Sequence, residues 1–442
     1  MPANILNLPS YTVTEFQEND HDYHVDAVAN TAAASCPHCK STDLVGFGRR
    51  EQIIRDLPSH GKRVGIYVDT RRFRCRSCTK TFYEALPDVD EKRLMTNRLV
   101  AWIGKQAIKR TFTSIADEVG IVEGTVRSIF RDYINDLEQT VRFETPKWMG
   151  IDEIHLIKPR GVVANIQNNT VVEVLPNRNK ETVIRYLSQL EGKDRIQYVA
   201  MDMWKPYREA VELVLPQAMV VVDKFHVVKM ANEAMERVRK SFRESLTPKQ
   251  RRVLMHDRFV LLKRESELSD SEVLKLSCWL NNYPELGVAY KLKEDFFKIY
   301  DARSRHDAMN MYAAWEKSVT PEVRDAFSDI IRAWGNWQPY ILNHFDHPVT
   351  NAYTESLNNL IRVMNRLGRG YSFEALRAKI LFAEGAFKKQ IIRPKFERRR
   401  QDDSRFVGYA MMTSFQSEPK ETVINYGVDI STLVEMIESG EI

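Results

Sequence analysis

MGIDEIHLIK, residues 149–158, sets Asp152, Glu153 and His155 into an apolar run with the look of a buried strand. A strand core normally excludes charge, because an ionised side chain there is costly unless a cation or a hydrogen-bond partner compensates it. Asp152 is therefore read as functional, and its partners are sought downstream. Two more apolar runs carry acid at or near their ends: QYVAMDM contains Asp202, and AMVVVDKFHVV contains Asp223. Around them the chain alternates. GVVANIQ and TVVEVLP predict a hairpin about 168–169, while NKETVIRYLSQL and KPYREAVELVL predict helices. From about 229 to 340 the signals are almost wholly helical; NAYTESLNNLIRVMNRL and FEALRAKILFAEGAFKKQI then continue as amphipathic helices.

This order of elements brings three acids together. If neighbouring strands end side by side, Asp152 and Asp202 converge at one edge of a sheet, and Glu355 on a packed helix completes the cluster. Three carboxylates so close repel, and they stay ionised together only around hard cations. Two Mg²⁺ (or Mn²⁺) ions about 4 Å apart would clamp the attacking and leaving oxygens of a phosphodiester. Asp223 is the rival for the second position, but strand count places it one strand too late, so it and His226 are expected beside the site. His155 reads as structural. Each acid also has a plainer reading: an Arg-paired strand end, a cap before Lys205, or a first-turn acid favoured by the helix dipole.

Upstream, CPHC (Cys36, Cys39) and CRSC (Cys75, Cys78) flank two strand-forming runs joined by a turn at 58–61. Two knuckles on a hairpin supply four thiolates for a structural, tetrahedral Zn²⁺. Cys278 is expected in a helical core. Residues 98–110 have helical periodicity, and TFTSIADEVGIVEGTVRSIFRDYI reads as a helix-turn-helix: helices at about 114–119 and 123–133 around Gly120. The second helix would enter a major groove, with Arg127 and Arg131 facing DNA. The net charge is only +5, but 17 Lys/Arg against 8 Asp/Glu fall between Lys40 and Arg110, and KKQIIRPKFERRR adds a second basic run at 388–400. Such concentration suits a polyanion. A hydrophobic share of 43% excludes a disordered chain. Without an apolar membrane span or a secretory leader, a cytoplasmic, nucleoid-associated location and no membrane partner are expected.

The paired CxxC ribbon, the helix-turn-helix, GIDE, MDMWKPY, VVDKFH, and NAYTESLNN followed by RGYSFEALR stand in an order that resembles bacterial insertion-sequence transposases of the ISL-three family. The similarity runs from about Cys36 to Lys389. It implies a multidomain α+β chain in which a ribonuclease-H-like α/β catalytic domain with a mixed sheet and a DDE triad is interrupted by an all-α insertion. The triad falls on Asp152, Asp202 and Glu355, and the Asp-x-x-His element on Asp223 and His226. The expected layout is an irregular N-terminus (1–30), zinc ribbon (31–90), helix-turn-helix (91–140), first catalytic part (145–228), insertion (229–340), second catalytic part (341–392), and a basic link and tail (393–442). The implied activity is cleavage at the element's terminal inverted repeats and transfer of the freed 3′ end into target DNA, by a homodimer or larger assembly. Trp204, Trp334 and Trp337 are candidates to stack on a flipped base. Two other readings stand: a DNA-binding regulator without catalysis, and a metal-dependent nuclease that cuts without joining.

Overall fold

The computed structural model of the protein describes residues 7–30, 33–242 and 245–386. The basic run at 388–400 and the helix expected at STLVEMIES lie outside these residues. The N-terminal third builds a seven-stranded sheet from β1 (Tyr11–Glu18), β2 (Asp22–Ala29), β3 (Leu44–Ser59), β4 (Lys62–Cys75), β5 (Thr81–Tyr83), β6 (Val89–Asp90) and β7 (Met95–Thr96). The expected hairpin is β3–β4, and it turns at His60 and Gly61, both at positive φ. The expectation of an irregular N-terminus is corrected: β1 and β2 pair antiparallel, and β2 adds in parallel to β4. Val25, Ala27 and Ala29 alternate inward onto a core with Ile54, Val64, Ile66 and Val68. The signal was faint because small inward residues are outnumbered by polar neighbours.

Three helices follow: α1 (Asn97–Lys109), α2 (Phe112–Val119) and α3 (Glu123–Thr140). Thr96 and Thr111 cap the first two through side-chain oxygens that accept from the Leu99 and Ser114 N–H groups. Gly120 closes α2 at φ +74°, and a Cβ there would lie 2.6 Å from Arg63 Cδ, so both conformation and space require glycine.

The second sheet comprises β8 (Trp148–His155), β9 (Pro159–Asn165), β10 (Thr170–Leu175), β11 (Tyr198–Met201) and β12 (Met219–Val222), in the order β10-β9-β8-β11-β12. The β8–β9–β10 meander is antiparallel; β11 and β12 run parallel to β8. Helices α4 (Lys180–Gln189) and α5 (Lys205–Val214) make the two crossovers. Their Val183, Leu187, Tyr207 and Val211 pack on one sheet face with Met149, Ile151 and Val199. AMVVVDKFHVV does not stay extended: β12 stops at Val222, and Asp223 caps α6 (Lys224–Ser241).

From α6 the chain is helical, through α7 (Pro248–His256), α8 (Arg258–Leu262), α9 (Asp270–Asn282), α10 (Pro284–Ile299), α11 (Arg305–Ser318) and α12 (Pro321–Asp346). These helices share their own aromatic-rich core, and Asn343 on α12 donates to the Val220 carbonyl of β12 at 2.7 Å. Helices α13 (Ala352–Leu367) and α14 (Phe373–Ile380) return to the sheet. There Leu357, Ile361 and Leu376 share one continuous core with Ile154, Val162 and Val174 of the sheet and with Leu99, Ile103, Ile129 and Phe130 of α1 and α3. The three-helix unit is thus bolted to the second sheet. Lys379, fully buried, donates from Nζ to the Ala107 and Arg110 carbonyls at the end of α1, and Arg377 bridges Glu173 on β10 and Glu138 on α3.

Candidate active site

Cross-strand register brings the acids together. Met201 pairs with Ile151 on one side and with Val222 on the other, so Asp152, Asp202 and Asp223 occupy the next position on three adjacent strands. Asp202 is the direct neighbour of Asp152; Asp223 is one strand further out, where its carboxylate accepts from the Phe225 N–H as a helix cap. That cap aims the first turn of α6 so that His226 Nδ1 sits 3.6 Å from Asp223 Oδ2. One ligand atom each of Asp152, Asp202 and His226 fall within 4.8 Å of one another.

Burial, and then the nearby charge of Asp202, push Asp152 up to about 6, and burial likewise raises Asp202. His226 is raised too, first by Asp223 and then, against desolvation, by the charges of Asp202 and Asp152. Asp152 is well supplied with donors: Oδ1 accepts from the Glu153 N–H at 2.7 Å and Oδ2 from Asn358 Nδ2 at 2.8 Å. Asp202 is not. Its Oδ1 is buried without a hydrogen-bond partner, as is His226 Nδ1. An unmet buried polar atom costs about 1–3 kcal/mol. Two clustered carboxylates, one with an idle oxygen, fit a hard divalent cation, which would reverse the repulsion that burial imposes.

Glu355 stands apart from this group of three. It is exposed on the first turn of α13, where the helix N-terminus favours a solvated carboxylate. The helix itself is fixed to the acid-bearing strand. Asn351 donates to the Ile151 carbonyl at 3.4 Å, Thr354 donates to Asn351 Oδ1, and Asn358 holds Asp152. These polar residues, at spacing i, i+3 and i+7, form a stripe buried to 1%, 0% and 3% exposure. Sequence reading missed them; polar residues at helical spacing within NAYTESLNN were the available signal. Gly150 makes the contact possible, since a Cβ there would stand 2.4 Å from Asn351 Oδ1 and 2.6 Å from Thr354 Oγ1. Gly150→Ala is expected to lift α13 from β8, costing about 1–3 kcal/mol in stability; calorimetry checks it.

On the opposite face of β8, Glu153 accepts from Arg178 and from His155, and Arg178 lies 4.6 Å over the half-exposed Trp204 ring. Trp204 is thus available to a ligand. Trp334 and Trp337 are not: both are buried in the helical core, Trp334 stacked on Tyr312 at 4.0 Å. Cys278 is exposed on α9 rather than buried, because the inward position of that helix goes to Leu276.

The four ribbon cysteines also meet, with Sγ atoms within 4.8 Å of one another and no disulfide. Backbone N–H groups, that of Cys78 foremost, hold the Cys75 thiol down at about 6, while Cys39, against the lowering effect of the Ser41 backbone, is pushed up by its hydrogen bond with Cys75. On α3, Arg131 is exposed, whereas Arg127 pairs with Glu123 at 2.7 Å and covers the Phe112 ring. Both line a cleft of about 530 Å³ against α14.

Comparison with known proteins assigns all three parts. A family model described as "Transposase" matches residues 149–380. One for the zinc-finger of transposase IS204/IS1001/IS1096/IS1165 matches 32–78, and one for the helix-turn-helix domain of transposase family ISL3 matches 84–134. The transposase for insertion sequence element IS1001 of Bordetella parapertussis is 24% identical over 326 residues, 72% of this chain and 80% of that protein. The transposase for insertion sequence element IS1557 of Mycobacterium tuberculosis (strain ATCC 25618 / H37Rv) is 24% identical over 303 residues, covering 62% and 67%.

Proposed function

The chain belongs to the ISL3 family of transposases, and we propose that it cuts DNA at the terminal inverted repeats of its own insertion sequence and joins the freed 3′ ends to target DNA. The observation that carries this reading is the idle, buried Asp202 oxygen beside Asp152 at the tips of adjacent parallel strands. Asp152, Asp202 and Glu355 are the proposed triad, with Glu355 turning inward from its exposed rotamer on a helix that is already fixed. Divalent cations held there, Mg²⁺ or Mn²⁺, would supply positive charge to the attacking and leaving oxygens of a phosphodiester. The rest is positioning. Asn358 and the Glu153 N–H fix the Asp152 carboxylate, Asp223 aims His226, and no side chain is required as a nucleophile.

Recognition is assigned to the other two modules. The four cysteines would hold a structural Zn²⁺ that organises the ribbon, and the exposed face of α3, Arg131 included, would read the repeat. Because the three-helix unit and the second sheet share one core, recognition and cutting are carried on one body. Bringing two element ends together calls for a homodimer or a larger assembly. Among the described residues no helix is long and apolar enough to cross a membrane.

Inverted repeats, sought in the DNA that flanks the reading frame, would provide the test duplex. Cleavage and joining with Mg²⁺, both absent with EDTA, are the expected result. Binding without cutting would instead support a regulator, and cutting without joining a simple nuclease.

A further inference from the structure

One cation links the two segments that carry the strand-borne acids. Arg178 stands in the connection between β10 and α4. It donates Nη1–H to Glu153, the residue after Asp152, and its guanidinium carbon lies 4.6 Å from the ring centroid of Trp204, two residues beyond Asp202. The second Glu153 oxygen takes His155 Nε2. About a third of the Arg178 side chain is exposed, at 34%, and among the described residues Glu153 is its one hydrogen-bond partner. The indole and the carboxylate together hold the guanidinium in place, which leaves N–H donors unspent near enough to Asp202 for the two charges to interact.

We infer that Arg178 is a DNA-binding residue that seats a backbone phosphate next to the scissile one. This rests on the reading of the chain as a DNA-cutting enzyme. A polyanion approaching clustered carboxylates is repelled unless fixed positive charge meets it at the rim. Arginine suits that task because its planar fork matches two phosphate oxygens at once, and contact with the tryptophan ring restrains the fork. Bracing by Glu153 fixes the fork before DNA arrives, so little ordering is left for the binding step. Glu153, next to Asp152, and Trp204, two residues beyond Asp202, tie this cation to both acid-bearing segments at once.

The test uses the full chain with duplex ends in which single phosphates around the cut are replaced, one at a time, by neutral methylphosphonates. Arg178→Gln is expected to raise the DNA concentration for half-maximal cleavage about tenfold while changing the maximal rate by less than about threefold. Arg178→Lys, which keeps the charge without the fork, is expected to recover part of the loss. At one phosphate beside the cut, the methylphosphonate should cost the unsubstituted enzyme about the same factor and Arg178→Gln nothing more. A brace that only supports the fold would not single out one phosphate. Penalties that multiply at every position would overturn the assignment. If the unsubstituted enzyme does not cut these ends, or Asp202→Asn cuts them normally, the underlying reading has failed and this inference with it. An active, Asp202-dependent enzyme with multiplying penalties overturns the role of Arg178 alone.

Discussion

Asp202→Asn is expected to cut element ends about a thousandfold more slowly, or not at all, while binding them as before. The fold should not suffer. Asp202 Oδ1 has no hydrogen-bond partner to lose. Burial disfavours its ionised form and outweighs the opposing charge of His226, with Glu153 adding to the penalty. Removing that charge therefore relieves the apo protein, and the melting temperature should hold or rise while activity disappears. Asp152→Asn should abolish cleavage equally but gain nothing in stability, because an amide in place of the carboxylate sets donors against Asn358 Nδ2 or the Glu153 N–H. A variant at either position that cuts normally would remove that acid from the site.

The second large effect concerns the ribbon. Cys36→Ser with Cys75→Ser should release zinc and unfold the cysteine-bearing end of the N-terminal sheet. Zinc bound by such small modules contributes about 10–16 kcal/mol, more than their cores supply. Cys36 and Cys75 are both fully buried, and Cys75 is the last residue of β4, paired with Leu44. Loss of the ligands thus frays the far end of the β3–β4 hairpin, where β5 also pairs. Zinc content measured by mass spectrometry should fall to background, and affinity for the terminal repeat should drop by more than about tenfold. The α1–α3 unit draws its core from the second sheet, so a later thermal transition should survive. Unchanged zinc in the double variant would refute the ligand assignment.

Where elements have a strong period or an expensive residue, the chain was legible in advance. Acid in an apolar strand marked Asp152 because burial makes it costly, and counting strands separated Asp202 from Asp223, which follow the strand next to β8 and the strand beyond it. The CxxC spacing and the Gly120 turn were equally direct. Tertiary placement was harder to read. Nothing local distinguishes a buried tryptophan such as Trp334 from an exposed one such as Trp204, and β1–β2 carry too few large apolar residues to announce a strand. The Asn351–Thr354–Asn358 stripe was hidden because polar residues on a helix ordinarily face water; only Gly150, opposite them, explains why these do not. The merger of the three-helix unit with the second sheet rests on contacts such as Lys379 with Ala107, far apart in the chain.

Manganese, whose anomalous scattering marks its position directly, offers the sharpest check on a cation-dependent acid site. Crystals of the protein with a terminal-repeat duplex and Mn²⁺ should show an anomalous peak between the Asp152 and Asp202 carboxylates, within coordination distance of both, with Glu355 turned toward it. Cleavage-competent crystals with no peak there, or with Mn²⁺ bound only elsewhere, would contradict the account.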